Sequence, residues 1–295
     1  MPQTSTEMLR QMLVPSLRAR GLQGADASWS FLEGGRTNWL WRVSRPGGDI
    51  VVKLYSGETS NPLFPNDPRS EVKVLTHLEG HGIAPQLLES FQTDAGACLI
   101  YAHLSGTAGT ADCAKVASLL HRLHRIAPPP GLRKVPDGSA ALRQQTLAIL
   151  AACADEHAAS LRILEPADNV APCGVSCLLH ADPVPANMID QGGELKLIDW
   201  QCPAIGDPCE DIAIFLSPAM QITYGARALT AAERADFLDG YHDHRTIRRY
   251  RQLEPWYHWR MAAYCLWNEA RGDKLARRAY AAETEALRAA QSEQI

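Results

Sequence analysis

The stretch that decides the fold runs from Cys177 to Ala213 and reads CLLHADPVPANMIDQGGELKLIDWQCPAIGDPCEDIA. Four polar residues within it suggest chemistry: His180, Asp182, Asn187 and Asp199. An aspartate followed five residues later by an asparagine suits phosphoryl transfer, because the carboxylate can accept a hydroxyl proton while the amide oxygen holds a magnesium ion. We therefore take Asp182 and His180 as candidate catalytic residues and Asn187 as a candidate metal ligand.

A β-hairpin is predicted directly after Asn187, because apolar segments flank the turn sequence DQGG at 190–193. The returning strand ends at Asp199, so the hairpin brings this carboxylate back beside Asn187. Two oxygen ligands on adjacent strand ends suit Mg²⁺, which takes few protein ligands and completes its shell with water and phosphate. Asp199 is therefore predicted as the second metal ligand.

These segments resemble a known family, the aminoglycoside phosphotransferase and choline kinase group of small-molecule kinases, which are relatives of protein kinases. Its catalytic loop is usually HGDxxxxN, followed by a strand ending in IDW or IDF and by a GDPxxDLA-like segment. Here they read HADPVPAN at 180–187, IDW at 198–200 and GDPCEDIA at 206–213. The resemblance implies transfer of the γ-phosphate of ATP, with Mg²⁺, to a hydroxyl of a small molecule such as choline or an aminoglycoside.

Three residues of the catalytic loop depart from the family pattern. Ala181 places a methyl group where the family usually has glycine, and Pro183 and Pro185 make the loop unusually rich in proline. Asp211, in contrast, matches a family aspartate that hydrogen-bonds the catalytic loop. The resemblance therefore implies that Asp211 supports the loop and is not a reactant.

The N-terminal part of the chain predicts an antiparallel sheet. After an amphipathic helical pattern at 5–20, strand patterns follow at 29–32, 39–43 and 50–55, separated by turns that contain glycine. The first turn lies where kinases place the glycine-rich loop over the ATP phosphates. Its GGRTN sequence resembles the family's GG-x-[ST]-N loop, which implies nucleotide contacts from Gly34, Gly35, Thr37 and Asn38.

Lys53 lies within an apolar strand, where a charged side chain needs a partner or a ligand. In kinases, the lysine of the third strand holds the α- and β-phosphates and pairs with a glutamate of the following helix. Glu71, at the start of a helical pattern, is the candidate partner. The alternative interpretation of Lys53 is an exposed lysine on an edge strand.

A boundary between two lobes is predicted after the apolar strand at 98–104, where the small residues of 105–109 change the composition. The expected fold is α+β and protein-kinase-like. It has an antiparallel, nucleotide-binding lobe at 1–104 and a mostly helical lobe at 105–295 with the catalytic loop and acceptor pocket. The strand would lead into the hinge, where the backbone of Tyr101 and His103 would line the nucleotide base.

Further helical patterns occur at 110–126, 139–163, 230–242, 255–271 and 273–291, and another helix opens at 207–208 with Asp-Pro. The last three are expected to build the acceptor pocket. The helix at 255–271 carries aromatic residues on one face: Trp256, Trp259, Tyr264 and Trp267. This face suits either core packing or cation–π binding of an amine. Arg260 lies on the same face and would need an acidic partner such as Glu254 or Asp243.

Composition excludes several classes of partner. For 295 residues, a net charge of -4 and a pI near 6.2 argue against nucleic acid or an anionic membrane surface. The chain has no run of roughly 18 apolar residues, as a membrane span needs, and Glu7 and Arg10 interrupt what would be a signal core. Its eight cysteines form no C-x-x-C pair. We expect a cytoplasmic enzyme of unspecified oligomeric state with a small-molecule partner.

Three alternatives remain at this level. A zinc site from Cys173, Cys177 and His180 lacks a fourth ligand at a usual spacing. A protein kinase would carry a D-F-G segment, whereas 199–201 reads DWQ. A nucleotide-binding scaffold without turnover would have lost one of the candidate catalytic, lysine or metal-binding residues, and all of them are present.

Overall fold

The computed structural model describes residues 3–33, 37–57, 60–109 and 112–293. An antiparallel sheet of five strands forms the N-terminal lobe, in the order β1-β2-β3-β5-β4. Its strands are β1 (Ser28–Phe31), β2 (Trp39–Ser44), β3 (Ile50–Leu54), β4 (Leu87–Thr93) and β5 (Gly96–Ala102). The predicted α+β, two-lobed architecture is confirmed.

Two helices pack on this sheet. Helix α1 (Gln3–Ala19) is amphipathic, and its Leu13 and Leu17 are completely buried in one cluster with Trp41 and Val43. Helix α2 (Pro68–His77) begins after Asp67, whose side chain accepts hydrogen bonds from the first free backbone N–H groups. Because α2 starts there, its first turn directs Glu71 toward the sheet, where that residue is buried.

The C-terminal lobe is mostly helical. Its helices are α3 (Cys113–His124), α4 (Ser139–Leu150), α5 (Asp155–Arg162), α6 (Cys209–Leu216), α7 (Pro218–Thr223), α8 (Ala231–Gly240), α9 (His244–Glu269) and α10 (Ala276–Ser292). Helix α9 runs through the lobe, and α4, α5, α6, α7 and α10 all pack against it. Among the described residues, none of the helices has the length and apolar character required to span a membrane.

Two small sheets hold the catalytic segment. The first has the order β10-β9-β6 and the second β7-β11-β8. Their strands are β6 (Thr107–Ala108), β7 (Arg133–Lys134), β8 (Cys177–Leu179), β9 (Met188–Gln191), β10 (Glu194–Leu197) and β11 (Ala204–Gly206). Gly106 permits the close approach of β6 to β9, since a Cβ at that position would lie 2.3 Å from the Asp190 carbonyl oxygen. The predicted hairpin, β9 with β10, therefore lies directly beside the segment that leaves the hinge.

Two helix predictions need correction, and one helix was missed. The pattern at 139–163 is not one helix, because 151–154 separates α4 from α5. Pro255 is not at a helix start: α9 begins at His244, where the Asp243 side chain caps it, and continues through Pro255. Burial of α9 from Pro255 to Trp267 compensates for the hydrogen bond that proline cannot make. Helix α7 was not predicted, because its six residues are too few to show a period.

Candidate active site

Asp211 of helix α6 anchors the backbone of the catalytic loop. The Asp211 carboxylate accepts hydrogen bonds from the backbone N–H groups of His180, at 2.9 Å, and Ala181, at 2.7 Å. His124 lies 3.1 Å from the same carboxylate through Nε2, and its Nδ1 lies 2.6 Å from the Tyr241 hydroxyl. Ala181 has a φ of 63°, a left-handed conformation that explains why glycine is usual at this position in the family. The loop geometry is retained with alanine.

His180 is buried, and both of its ring nitrogens contact backbone groups. Its Nε2 lies 2.9 Å from the Ile198 carbonyl oxygen and donates to it, while its Nδ1 accepts the Asp182 N–H at 3.3 Å. Burial lowers the pKa of this imidazole, which favours the neutral form that these two bonds require. His180 therefore joins the catalytic loop to the strand that leads to Asp199. Both ring nitrogens are thus engaged by backbone groups, and the catalytic role of His180 stays a prediction.

Asp182 has one oxygen held and one oxygen available. Its Oδ2 accepts hydrogen bonds from Asn187 Nδ2 and from the Tyr224 hydroxyl, both at 3.2 Å. Its Oδ1 is buried and has no hydrogen-bond partner among the described residues. Burial, and then the charge of Asp199, raise the pKa of Asp182 to about 7. The geometry fits a carboxylate that accepts a proton near neutral pH. Tyr224 was not predicted, since no sequence motif surrounds it.

Asn187 and Asp199 are brought together by the hairpin. The Ile198 N–H donates to the Asn187 carbonyl oxygen at 2.9 Å, and both residues line one cavity. The Asn187 amide nitrogen donates to the Asp182 carbonyl oxygen at 2.9 Å, so its side-chain oxygen is the atom suited to a metal. One carboxylate and one amide oxygen are the hard donors that Mg²⁺ prefers, and the donor set therefore fits this ion.

Lys53 lies in the central strand β3 and is completely buried. Its Nζ is 2.5 Å from Glu71 Oε2 and 2.6 Å from Asp199 Oδ1. Burial alone would lower the pKa of Lys53, but the two carboxylates outweigh it and the pKa is raised. The Tyr55 hydroxyl also donates to Glu71. The alternative of an exposed edge lysine is therefore wrong, and the ammonium group lies where the two lobes meet.

A cavity of about 490 Å³ lies between the lobes, in front of Asp199. Apolar side chains from both lobes line the cavity: Leu32, Leu40, Val51, Ile189 and Ile198. Tyr101 and His103 of the predicted hinge, and Thr37, also line the cavity. His103 Nδ1 is buried there without a hydrogen-bond partner in the described part of the chain. Gly34 and Gly35 lie outside the described residues.

Asn38 contacts protein groups where the sequence predicted a nucleotide contact. Its Nδ2 donates to Asn66 Oδ1 and to Gln201 Oε1, each at 2.8 Å, and its Oδ1 accepts from Asn66 Nδ2 at 2.8 Å. The Ser56 N–H also donates to Oδ1, at 3.2 Å. Asn38 is 4% exposed and lies at the edge of the cavity, so it joins the start of β2 to Asn66 and to the segment that follows Asp199.

A second cavity, of about 390 Å³, lies next to the first and has Asp182 in its wall. Thr37, Gln201 and Tyr224 border both cavities. The remaining lining is mixed aromatic and polar: Ser60, Asn61, Phe64, Met220, Thr223, Tyr264, Trp267, Asn268, Arg271, Gly272 and Asp273. Within the described lining, α9 contributes its C-terminal end and α8 and α10 contribute nothing. That the three helices build the acceptor pocket stays a prediction.

The aromatic face of α9 has two parts. Trp256 and Trp259 are buried in the core, where their indole N–H groups donate to the carbonyl oxygens of Asp168 and Leu161. Tyr264 and Trp267 are stacked on each other and line the second cavity. All four residues belong to the buried core, as the packing interpretation predicts, and the second pair also lines a cavity.

The partner predicted for Arg260 is wrong. Its guanidinium forms two hydrogen bonds with Glu210 of α6, at 2.7 and 2.9 Å, and a third with Gln145 at 3.0 Å. Glu254 instead pairs with Arg234, and Asp243 caps α9. Arg260 therefore belongs to the core and does not face the second cavity.

The zinc hypothesis does not fit the structure, since both nitrogens of His180 are engaged by the backbone. The described residues contain one other candidate metal cluster, Asp137 with Cys173 and Asp207. The Arg249 guanidinium already contacts Asp137 at 2.9 Å and Asp207 at 2.6 Å. The positive charge in this cluster is therefore that of an arginine.

Comparison with known proteins places the chain in a family. Residues 28–256 match the phosphotransferase enzyme family, and the chain belongs to it. It is accordingly a phosphotransferase. No curated protein matches the sequence significantly.

Solved structures with the same fold include a choline kinase from Cryptosporidium parvum Iowa II, with 15% identity, a TM-score of 0.69, and coverage of 97% of this chain and 96% of that chain. The choline kinase LicA from Streptococcus pneumoniae has 18% identity and a TM-score of 0.64, with 96% and 99% covered. A spectinomycin phosphotransferase, solved with ADP and spectinomycin, has 14% identity and a TM-score of 0.56, with 97% and 98% covered. At these identities they establish the shared fold.

Proposed function

We propose that this kinase transfers the γ-phosphoryl group of ATP to a hydroxyl of a small molecule, with Mg²⁺ held by Asn187 and Asp199. The observation that carries the proposal is the position of Asp182. Asp182 lies in the wall of the second cavity, and its Oδ1 has no hydrogen-bond partner among the described residues. Its Oδ2 accepts a hydrogen bond from Asn187, which lines the first cavity. A hydroxyl in the second cavity would thus meet a base beside the nucleotide phosphates.

The chain's own residues give each reactant a position. Asp182 accepts the hydroxyl proton as the oxygen attacks phosphorus, and Asn187 and Tyr224 keep its carboxylate oriented. Lys53, oriented by Glu71, places a positive charge at the phosphate end of the nucleotide cavity. Bound Mg²⁺ would neutralise charge on the phosphates. The apolar side chains of both lobes would enclose the base, with the hinge backbone and His103 at its edge.

The acceptor is proposed to be an amino alcohol such as choline, an aminoglycoside, or a related hydroxyl compound. The names of the structural relatives point to both classes. A cavity of about 390 Å³ lined by Tyr224, Tyr264 and Trp267 offers aromatic faces for a ring or an amine. Arg271 lies 3.6 Å from the Trp267 ring centroid, so a cationic acceptor would have to use the other aromatic side chains.

We also propose a role for each lobe and a cellular location for the enzyme. We take 1–104 as the nucleotide-binding lobe and 105–295 as the lobe that carries the catalytic loop and the acceptor pocket. We also propose that the enzyme works in the cytoplasm, because all eight cysteines are free thiols, as a reducing compartment maintains them.

The test is ADP release from Mg-ATP by the purified chain with choline, ethanolamine, D-ribose, kanamycin or thiamine as acceptor. We expect one of these to raise ADP release and to become phosphorylated. Asp182→Asn should lower kcat by about 10²- to 10⁴-fold, because a positioned base acts chiefly in the transition state, and should leave the Kd of Mg-ATP nearly unchanged. Full activity of Asp182→Asn would refute the proposed base.

A further inference from the structure

The described part of the loop that precedes α2, residues 60–66, reaches from the nucleotide lobe to helix α9. Asn61 in this loop donates from Nδ2 to the Tyr264 hydroxyl at 2.7 Å, across 203 residues of sequence. Its Oδ1 accepts the N–H groups of Leu63, at 3.0 Å, and Phe64, at 2.9 Å. One side chain therefore fixes the local turn and joins it to the helical lobe.

Aromatic packing extends the same contact. The Phe64 ring meets the Tyr264 ring edge to face at a centroid distance of 5.3 Å, and Tyr264 is stacked on Trp267 at 5.7 Å. These three rings and Asn61 all line the cavity that contains Asp182. Part of the wall of this cavity thus comes from the nucleotide lobe.

The far end of the loop is anchored to the metal-binding segment. Asn66 forms the reciprocal hydrogen bonds with Asn38, and the Asp67 N–H donates to the Gln201 carbonyl oxygen at 2.9 Å. Gln201 stands two residues after Asp199. Segment 60–66 is therefore fixed at one end to the acceptor cavity and at the other to residues next to the predicted Mg²⁺ ligand.

We infer that segment 60–66 is a wall of the acceptor pocket, and that Asn61 and Phe64 are positioning residues that hold Tyr264 in place for the acceptor. This inference rests on the proposed function for the identity of the second cavity. Its chemical consequence is that the acceptor site exists only while both lobes are in contact. An acceptor hydroxyl displaced by about 1 Å from Asp182 loses much of its reactivity, so a wall that fixes the pocket acts on the rate as well as on binding.

The first experiment does not need a known acceptor. An Asn268→Cys substitution places a thiol in the lining of the cavity, and its reaction with iodoacetamide, a probe of acceptor size, is followed by peptide mass spectrometry. Tyr264→Phe keeps the aromatic stacking but removes the hydroxyl that Asn61 contacts. We expect it to raise the labelling rate about five-fold, the scale of one lost hydrogen bond.

The matched control is Tyr280→Phe, on the half-buried part of α10 and outside every cavity lining named above, which should leave the labelling rate unchanged. Asn61→Ala should raise the rate at least as much as Tyr264→Phe, since it also removes the two turn bonds. The double variant should add little to Asn61→Ala, because both changes break the Asn61–Tyr264 hydrogen bond. An unchanged rate in Tyr264→Phe, or fully additive effects of the two changes, would overturn the inference.

The second experiment measures steady-state kinetics with the best acceptor of the panel. Asn61→Ala should raise the acceptor KM about five-fold or more and leave the KM for Mg-ATP unchanged, and Asn61→Gln should restore part of the loss. Equal effects on both KM values would contradict an acceptor wall. If labelling changes as expected while no compound of the panel is phosphorylated, the wall is supported and the proposed acceptor classes are what fails.

Discussion

Segment 177–213 and helix α9 differ in how much of their chemistry is determined locally. In the segment, Asp199 returns beside Asn187, as the predicted hairpin requires, and Asp211 bonds the backbone of the catalytic loop, as the family resemblance implied. In α9, residues of one predicted helix face separate in space: Trp259 is completely buried, whereas Trp267 borders the second cavity. The positions of the candidate catalytic residues therefore follow from short-range spacing, and the lining of the second cavity follows from long-range packing.

For segment 177–213, the substitution with the largest expected effect is Asp199→Asn. The variant keeps the shape of the side chain but removes the negative charge that a metal ligand provides and that Lys53 contacts at 2.6 Å. We expect turnover to fall about 10³-fold or more, and calorimetry to show that added Mg²⁺ no longer strengthens ATP binding. Asp190→Asn, on strand β9 of the same hairpin, is the control and should retain both properties. Unchanged Mg-ATP affinity in Asp199→Asn would remove the ligand assignment.

The two parts of α9 give the next largest effect. Trp259→Ala should lower the free energy of unfolding by about 3–5 kcal/mol, because it leaves a cavity and an unpaired Leu161 carbonyl oxygen in the core, while the acceptor KM stays constant. Trp267→Ala should raise the acceptor KM with a smaller loss of stability, since its ring borders the pocket. Urea unfolding and acceptor kinetics on both variants decide the matter. If both change only stability, the aromatic face is entirely core.

The limits of prediction from sequence follow the same division. The pair Lys53 and Glu71 was predictable, since a charge within an apolar strand requires a partner and the next helix offers one. The partners of Asn38 and Arg260 were not, because Asn66, Gln201 and Glu210 lie 28, 163 and 50 residues away in the sequence and become neighbours only in the folded chain. No local pattern distinguishes a polar residue that binds a ligand from one that satisfies another buried polar group.

A third test concerns a buried charge cluster on α9 that was not predicted. His258 Nδ1 lies 2.6 Å from Glu283 of α10, and Glu254 lies 3.6 Å from Nε2. Burial opposes protonation, but the two carboxylates outweigh it and raise the pKa of His258 to about 9. Because this folded-state pKa exceeds the unfolded value of about 6.5, the stabilisation is complete below pH 6.5 and is lost as pH rises toward 9.

The expected slope is a loss of up to about 1.4 kcal/mol of unfolding free energy per pH unit between pH 6.5 and 9. Urea unfolding at several pH values measures it. His258→Gln should be less stable at pH 6.5, and its unfolding free energy should change less with pH. Buried thiols such as Cys98, whose pKa burial raises to about 12, are present in both proteins. The difference between the two pH profiles therefore reports His258 alone. Parallel profiles would mean that His258 is not the titrating group.

The smallest effect returns to the catalytic segment, where Ala181 departs from the family pattern. The left-handed backbone of Ala181 destabilises the loop by about 1 kcal/mol relative to glycine. Its methyl group is 1% exposed and packs with Leu179 and Cys202, and this burial stabilises the loop by about 0.8 kcal/mol. These terms nearly cancel, so Ala181→Gly should change stability by less than about 1 kcal/mol and leave turnover within about two-fold, since the Asp211 hydrogen bonds involve only backbone.

Ala204→Gly provides the matched control, because Ala204 is completely buried in the same cluster but does not have a positive φ. It loses the methyl contact and gains chain entropy in the unfolded state without relief of strain, so it should be destabilised by about 1–2 kcal/mol. Urea unfolding gives the loss of unfolding free energy in Ala181→Gly and in Ala204→Gly. The loss at 204 minus the loss at 181 is the energy of the left-handed conformation at Ala181. Equal losses would show that the loop relaxes around alanine, and the spacing of the catalytic segment would then tolerate more sequence variation than its family pattern suggests.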